Sequence, residues 1–321
     1  MCGIFGIISI KFNNIYNEII NGLIQLQNRG YDSSGICVLN KNKFDINKFA
    51  SEDNITSIEK LQNKKINKNI NLGIGHNRWA THGAKNDTNA HPHISNNKKF
   101  VIVHNGIIEN YNDLKNFLIV NGYKFYSETD TEVIVNLIEY HYEKTNKIIK
   151  SIEESIKLLS GTYGLIILSL DHPDNLFCVR NGSPLLIGKN EETCIITSEQ
   201  SGFCNKVNTY ITLKNDDICI IKKDNNQINI STTNVYIEKE IYALNEELTP
   251  DPYNHWTIKE IFEQPKKILN SINLGGRICD KHNVKLGGLD ENKEYLKDIN
   301  NIILLGCGTS YHSCLYGKEF L

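Results

Sequence analysis

Short apolar runs that occur in blocks, with turn residues between them, restrict the fold of this chain more than any other feature of its sequence. Helical periodicity predicts four helices in the first 240 residues, over 15–27, 111–120, 131–142 and 148–159. Nine other runs have the length and composition of strands: CGIFGIIS, GICVL, LGIGHNRW, KFVIVHN, YGLIILSL, LFCVR, PLLIG, TCIITS and DICIIK. Because the strands do not alternate strictly with helices, we expect a layered α+β domain with antiparallel sheets over about residues 1–240.

The chain changes character after residue 240. The segment NEELTPDPYNHW holds two of the six prolines and predicts a linker, and IKEIFEQPKKILNSI predicts an amphipathic helix. The final stretch, DINNIILLGCGTSYHSCLYGKEFL, has the pattern of an apolar strand, a small-residue turn and the start of a helix, as at the opening of a parallel-sheet domain. The expected domains are therefore 2–240, a linker with a hinge helix at 241–290, and a truncated second domain at 291–321.

Charge and cysteine usage argue against several classes of function. The formal net charge is −2, so no broad basic field predicts binding to nucleic acid or to an anionic membrane. The stretches NKNKFDINK and LQNKKINKNI mix lysine with asparagine, and we interpret them as solvated loops. Neither a secretory signal nor a membrane span is predicted. The nine cysteines form no CxxC pair, which predicts reduced thiols and a cytoplasmic protein.

Cys2 is the first residue with an evident chemical interpretation. Packing, palmitoylation and the apolar core of a signal peptide are the alternatives, since free cysteine is among the most often buried residue types. Methionine is usually removed when the next residue is small, so Cys2 would then carry both a thiol and a free α-amine. That pair is a nucleophile with its own general base.

Five further segments are dense in polar groups: NRGYDSSG, HNRWATHG, NAHPH, HNGIIENY and SETDTE. Arg29 and Arg78 each sit where a strand-like run meets a glycine-containing loop, which suits bidentate capture of a carboxylate or an ordinary ion pair. The Asn105 amide and the Gly106 N–H group are candidates for an oxyanion hole, although Asn-Gly is also the commonest hairpin dipeptide.

The segment SETDTE is expected to open a helix. Thr129 and Glu132 fit a capping box, while Asp130 suits either the first helical turn or a substrate ammonium group. The histidines at 76, 82, 91 and 93 do not have the spacing of a known zinc site, so loop ordering and substrate enclosure fit them better than a metal. We expect no metal and no cofactor.

The segment GCGTS near the end of the chain suits an anion at a helix N-terminus, or alternatively a tight strand-to-helix turn. Tyr311 stands where the third glycine of a dinucleotide fingerprint belongs, and the GK[ST] of a P-loop is missing. A sugar phosphate is therefore a better candidate ligand than a nucleotide.

Six motifs in order, MCGIFG, RGYDSSG, HNRWATHG, NAHPH, VHNGIIEN and SETDTEV, resemble the class II glutamine amidotransferases, whose nucleophile is an N-terminal cysteine. The resemblance implies the four-layer α/β/β/α sandwich of the N-terminal-nucleophile hydrolases for residues 2–240. It also implies hydrolysis of L-glutamine to glutamate and ammonia. RGYDS resembles the glutamine–fructose-6-phosphate transaminase branch, whereas asparagine synthetases typically show RGPDS and amidophosphoribosyltransferases RGQES.

Two later segments resemble the same branch. HWTIKEIFEQP is similar to its hinge, and GCGTSYHS is similar to the first phosphate loop of its sugar isomerase domain. Asn28 and Thr257 depart from the residues usual in the branch, and neither performs the chemistry. The resemblance implies fructose 6-phosphate as a second substrate of the complete enzyme, glucosamine 6-phosphate as its product, and a homodimer formed through the isomerase half.

The resemblance assigns roles residue by residue. It makes Cys2 the nucleophile, with Asn105 and Gly106 stabilising the oxyanion. It implies a set of residues that bind glutamine or order the loops around it: Arg29, Arg78, Trp79, Thr81, His82, His91 and Asp130. It implies a partial sugar-phosphate site formed by Cys307, Gly308, Thr309 and Ser310. The alternatives are an amidotransferase of the asparagine synthetase or amidophosphoribosyltransferase type, or an inactive relative that only binds glutamine.

Overall fold

The computed structural model describes residues 2–40, 42–64, 70–241, 250–272, 277–281, 283, 285, 289 and 292–320. The chain divides into two compact units, Met1–Leu248 and Thr249–Leu321. The division at 240 and 290 that the sequence suggests remains a prediction. None of the helices that the described residues form has the length and apolarity needed to cross a bilayer.

Two sheets form the centre of the first unit. Its strands, in chain order, are β1 (Gly3–Asn13), β2 (Ser33–Asn40), β3 (Lys43–Ala50), β4 (Ile70–Arg78), β5 (His93–Ile94), β6 (Phe100–Ile108), β7 (Gly161–Ser169), β8 (Asn175–Asn181), β9 (Leu186–Lys189), β10 (Thr193–Thr197), β11 (Thr209–Thr212), β12 (Cys219–Asp224), β13 (Gln227–Ser231) and β14 (Lys239–Glu240). One sheet has the order β14-β11-β9-β10-β1-β4-β2-β3, and the other has the order β13-β12-β8-β7-β6-β5. Neighbouring strands are antiparallel, for example β1 with β4 and β6 with β7.

Helices cover the outer face of each sheet. The first unit contains α1 (Ile15–Gln25), α2 (Ser57–Gln62), α3 (Tyr111–Val120), α4 (Asp130–Thr145) and α5 (Ile148–Ile156). The second unit contains α6 (Trp256–Ser271), α7 (Lys293–Leu296) and α8 (Thr309–Lys318). The amphipathic helix predicted in the segment IKEIFEQPKKILNSI is therefore present as α6.

Three apolar layers hold the first unit together. Ile4 and Ile8 of β1 pack between the two sheets, while Phe5 and Ile7 face the layer that contains α1 and α2. On β6, Val101 and Val103 point to the other sheet, and Phe100 and Ile102 point to the layer that contains α3, α4 and α5. Successive residues of a strand point to opposite faces, so a strand buried on both faces is a continuous apolar run. The result is the four-layer α/β/β/α sandwich, as predicted.

Two sequence interpretations are wrong. The segment NKNKFDINK is not a solvated loop, because residues 43–50 pair with β2 as the edge strand β3. An edge strand has one solvated side and tolerates polar residues. The run NIILL is not a strand, because residues 301–305 form none in the structure, and Ile303 and Leu305 are more than 80% exposed. A parallel strand requires a neighbouring strand, and none of the described residues pairs with this run.

Candidate active site

Cys2 lies at the point where β1 enters the eight-stranded sheet beside the end of β4. Gly3 pairs with Asn77 across the two strands, which brings Cys2 next to Arg78 and Trp79. The Cys2 sulfur accepts the Trp79 N–H at 3.3 Å and lies 3.5 Å from the Trp79 carbonyl oxygen. Burial raises the pKa of the Cys2 thiol, and the Trp79 backbone opposes that shift. The thiol is therefore protonated at neutral pH and needs a base to become a nucleophile.

Two side chains fix the carbonyl group of Cys2. Arg29, in the short 3₁₀ turn Gln27–Arg29, donates from Nε to the Cys2 carbonyl oxygen at 2.8 Å and forms an ion pair with Glu199 at 2.8 Å. Asn105 donates from Nδ2 to the same oxygen at 2.9 Å. The backbone beside the thiol is thus held by the 3₁₀ turn on one side and by β6 of the other sheet on the other.

Gly106 follows Asn105 on β6 and is in a conformation that favours glycine. Its φ is +137°, and a Cβ atom at this position would lie 2.0 Å from the Thr162 carbonyl oxygen on β7. A larger residue would push β6 away from β7 and displace Asn105 from Cys2. The Asn-Gly pair is therefore inside a sheet, and the alternative of a hairpin turn is excluded.

A loop after β4 wraps around the Arg78 guanidinium. Arg78 donates to the carbonyl oxygens of His82, Gly83 and Ala84, the last at 3.3 Å. Glu128 holds the loop from the other side by accepting the Ala84 N–H at 2.9 Å. The loop thus encloses a cationic group directly beside Cys2.

Asp130 lies in the first turn of α4 and lines the same cavity as Arg78. Its Oδ2 atom accepts the Ile108 N–H at 2.9 Å, and its side chain is buried.

The predicted capping box at the start of α4 is wrong. The Thr129 hydroxyl makes no cap hydrogen bond and lies 3.1 Å from His93 Nε2, while the Glu132 carboxylate accepts the Ser127 N–H at 2.7 Å in the preceding loop. The Ser127 N–H and hydroxyl occupy Glu132, so it does not reach back to the N-cap.

Most of the predicted glutamine-site residues line one cavity. Its walls include Cys2, Arg78, Trp79, Thr81, His82, His91, Gly106 and Asp130. Arg29 and Asn105 reach the site through the Cys2 carbonyl group instead. The cavity volume is about 20 Å³, which is room for a single water and far less than glutamine needs.

Three cavity residues were not predicted to be site residues: His104, Thr131 and Thr129, the last of which was assigned to a helix cap instead. They lie inside HNGIIENY and SETDTE, so the motifs contained them without showing their roles. His104 and Thr131 contact each other through Nδ1 and Oγ1 at 2.9 Å.

Four histidines form a buried cluster at the cavity, and two of them, His91 and His104, line it. The rings of His76 and His91 stack at 4.1 Å between centroids, and His93 meets His91 edge-on at 4.9 Å. Burial lowers the pKa of His76 to about 3, and it lowers the pKa values of His91, His93 and His104 as well. All four rings are therefore neutral at physiological pH. Among the described residues, no group of three or more histidine, cysteine, aspartate or glutamate side chains is arranged to hold a metal ion.

The predicted sugar-phosphate residues belong to the second unit. Gly308 is the residue before α8 and has a φ of +58°, with no side-chain hydrogen bond at the helix cap. Cys307, Thr309 and Ser310 are exposed. Their role in binding a sugar phosphate remains a prediction.

Comparison with known proteins agrees with the geometry of the site. Residues 76–205 match the glutamine amidotransferase domain family. The chain is 38% identical to the probable glutamine–fructose-6-phosphate aminotransferase (isomerizing) of Acanthamoeba polyphaga mimivirus and 40% identical to the aminotransferase of that name from Buchnera aphidicola. The two alignments cover 100% and 99% of this chain, respectively, and each covers 52% of the relative. The chain thus spans about half the length of the curated relatives it matches.

A solved structure shares the fold. The glutamine phosphoribosylpyrophosphate amidotransferase from B. subtilis superposes with a TM-score of 0.60 at 24% identity, over 73% of this chain and 50% of that one. At this identity the likeness concerns the fold alone. It agrees with the antiparallel four-layer sandwich described above.

Proposed function

This chain belongs to the class II glutamine amidotransferase family, and on that premise we propose that it hydrolyses L-glutamine to glutamate and ammonia with Cys2 as the nucleophile. The observation that carries the proposal is the convergence on one cavity of the half-buried Cys2 thiol, an arginine and an aspartate, with the Asn105 amide bonded to the Cys2 carbonyl oxygen. A nucleophile, an oxyanion donor and two opposite charges are the groups that amide transfer from an α-amino acid requires.

The α-amine of Cys2, free once Met1 has been removed, is the proposed general base. An α-amino group ordinarily titrates near 7.7–8.0, so roughly a tenth to a sixth of it is unprotonated at pH 7 and about half at pH 8. The thiol gives its proton to this amine as sulfur attacks the carboxamide carbon of glutamine. Because burial raises the thiol pKa, the proton moves as the carbon–sulfur bond forms, and no free thiolate accumulates beforehand.

The oxyanion of the tetrahedral intermediate is assigned to the Asn105 Nδ2 group and the Gly106 N–H group. Ammonia leaves with the proton that the amine received, and a water then hydrolyses the thioester to glutamate and the free thiol. Arg78 and Asp130 are assigned to the α-carboxylate and the α-ammonium group of glutamine. Their opposite charges in one cavity suit a zwitterion.

The acceptor of the ammonia is part of the proposal as well. The names of the curated relatives suggest fructose 6-phosphate, which would yield glucosamine 6-phosphate in the complete protein. A homodimer formed through the isomerase half and a cytoplasmic location are further proposals. The nine cysteines, none of them in a disulfide, support the second of these.

The test is a glutaminase assay combined with covalent labelling. Protein whose intact mass shows loss of Met1 should release glutamate and ammonia from L-glutamine in equal amounts. A diazo-ketone analogue of glutamine should inactivate it and add one label, which peptide mapping should locate on Cys2. Tight glutamine binding without turnover would favour an inactive relative instead. In the full-length protein, ammonia transfer that fructose 6-phosphate does not stimulate would favour another acceptor.

A further inference from the structure

His76 connects the two sheets at the proposed oxyanion site. It lies on β4, in the eight-stranded sheet, while its partners lie on β6 in the other sheet. Its Nε2 atom is 3.1 Å from Asn105 Oδ1 and 3.0 Å from the His104 carbonyl oxygen. Its Nδ1 atom is buried, and none of the described residues offers it a hydrogen-bond partner.

These contacts select one tautomer of His76. The His104 carbonyl oxygen is an acceptor whichever way the Asn105 amide is oriented, so this contact by itself requires a proton on Nε2. A neutral imidazole carries one proton, so placing it on Nε2 satisfies both oxygens. The unpartnered Nδ1 atom is then the bare lone-pair nitrogen.

The tautomer in turn determines how the Asn105 amide is oriented. If the amide were flipped, its NH₂ group would face the Nε2–H of His76 and its oxygen would face the Cys2 carbonyl oxygen. Donor would then oppose donor, and acceptor would oppose acceptor, in a buried place where unmade hydrogen bonds are costly. We propose that His76 is a positioning residue for catalysis, which acts by directing the Asn105 amide nitrogen toward the reacting atoms at Cys2.

The surroundings of His76 keep its ring neutral, so its proposed positioning role does not change with pH. His76 is fully buried, its ring is stacked on His91, and the positive charge of Arg78 is nearby. The hydrogen bonds to the His104 carbonyl oxygen and to Asn105 favour the protonated ring, but burial outweighs them and lowers the pKa of His76 to about 3. The inference rests on the proposed glutaminase function, because an oxyanion donor matters only to a reaction that forms an oxyanion.

Two amide substitutions separate positioning from simple packing. His76→Gln can place its NH₂ group near the original Nε2 atom, whereas His76→Asn reaches only the Nδ1 position and loses the donor. We expect His76→Asn to lower kcat for glutamine by about 10- to 100-fold with KM within about twofold, since an oxyanion contact acts in the transition state. His76→Gln should stay within about threefold of wild type.

The double variant with Asn105→Ala tests whether His76 acts through Asn105. In that background the further change His76→Asn should cost less than about twofold, because the group being oriented is already missing. The alkylation rate of Cys2 by iodoacetamide needs no oxyanion donor and should stay unchanged in His76→Asn. ¹⁵N NMR of wild-type protein should show His76 protonated on Nε2 alone from pH 5 to pH 8.

Several results would overturn the inference. They are an unchanged kcat in His76→Asn, a loss confined to KM, an equal loss in both amide variants, full additivity with Asn105→Ala, or a proton on Nδ1 in the NMR spectrum. The NMR result decides the matter even where a variant does not fold. A wild-type chain that does not turn over glutamine would remove the proposed function itself, and this inference with it.

Discussion

The cavity at Cys2 and the turn at 306–310 contain similar groups but differ in what surrounds them. At Cys2, strands of two sheets and the first turn of α4 fix each polar group by hydrogen bonds to other elements. At 306–310 the residues before α8 are exposed, and Gly308 caps that helix without any side-chain contact. Small residues at a helix N-terminus therefore do not form a binding site by themselves. The residues around them must also hold their polar groups in a fixed position.

The largest expected contrast between the two regions is in a pair of cysteine substitutions. Cys2→Ala should reduce glutamine hydrolysis by at least about 10⁴-fold, to assay background, because the attacking sulfur is removed. Cys307→Ala is the matched control, since it removes an exposed thiol in the other unit, and its activity should stay within about twofold of wild type. Steady-state ammonia release measures both, and equal losses in the two variants would contradict the assignment.

A charge substitution at Asp130 should have the next largest effect. Asp130→Asn keeps the size of the side chain and an oxygen for the Ile108 N–H, but it removes the negative charge. We expect KM for glutamine to rise by about 10- to 100-fold, which corresponds to about 1.4–2.7 kcal/mol, with a smaller change in kcat.

An analogue that lacks the α-amine sharpens this measurement. It should be a poor substrate of the wild type, and Asp130→Asn should not weaken it further. Asp113→Asn, at an exposed position of α3, is the control and should behave like wild type. If the variant lost the same factor with the analogue as with glutamine, Asp130 would not be the ammonium partner.

The first unit should also be sensitive to acid because of its histidine cluster. Burial lowers the folded-state pKa values of His76, His91, His93 and His104, whereas in the unfolded chain histidine titrates near 6.5. Below that pH the unfolded state binds more protons, so the free energy of unfolding falls as the pH decreases. Each histidine contributes up to about 1.4 kcal/mol per pH unit, until the pH reaches its folded pKa.

Urea unfolding at pH 7, 6 and 5, followed by circular dichroism, measures this slope. His93→Gln should reduce the proton uptake on unfolding by about one, whereas His312→Gln, at an exposed position of α8, should leave it unchanged. Stability that does not change between pH 7 and pH 5 would mean that the cluster is not buried in neutral form.

The sequence predicts the sheets well where both of their faces are buried. The run FVIVHN at β6 is apolar at every position that packs against either layer, so its signal is strong. The edge strand β3 mixes Lys, Asp and Asn with Phe and Ile because one side of it is solvated, and it was interpreted as a loop. The run NIILL has a strong strand pattern and forms no strand, because pairing depends on a neighbour that periodicity does not reveal.

The residues of the site could be predicted from the sequence where they belong to recognisable motifs. Cys2, Arg78 and Asp130 came from motif order and family resemblance, and they line one cavity. The link between His76 and Asn105 was not foreseen, because it joins strands of different sheets that are 29 positions apart in sequence. Tertiary hydrogen bonds of this kind leave no periodic pattern. The spacing of Thr129 and Glu132 predicted a capping box that does not form. The Glu132 carboxylate accepts hydrogen bonds from Ser127 instead.

The smallest expected effect is that of fructose 6-phosphate on the 321-residue chain. A charge at an exposed helix N-terminus is worth about 0.3–1 kcal/mol, whereas binding with a Kd of 1 mM requires about 4.1 kcal/mol. The turn at 306–310 offers this dipole and a few exposed hydroxyls, which solvent screens, and within the described part of the chain no side-chain hydrogen bond caps the helix there. We therefore expect no saturable heat in calorimetry up to millimolar sugar phosphate, no glucosamine 6-phosphate, and no change in glutamine turnover. The glutamine–fructose-6-phosphate aminotransferase of Buchnera aphidicola, of which this chain spans 52%, is the positive control. Saturable binding to the 321-residue chain that Thr309→Ala abolishes would show that the turn binds the sugar phosphate by itself.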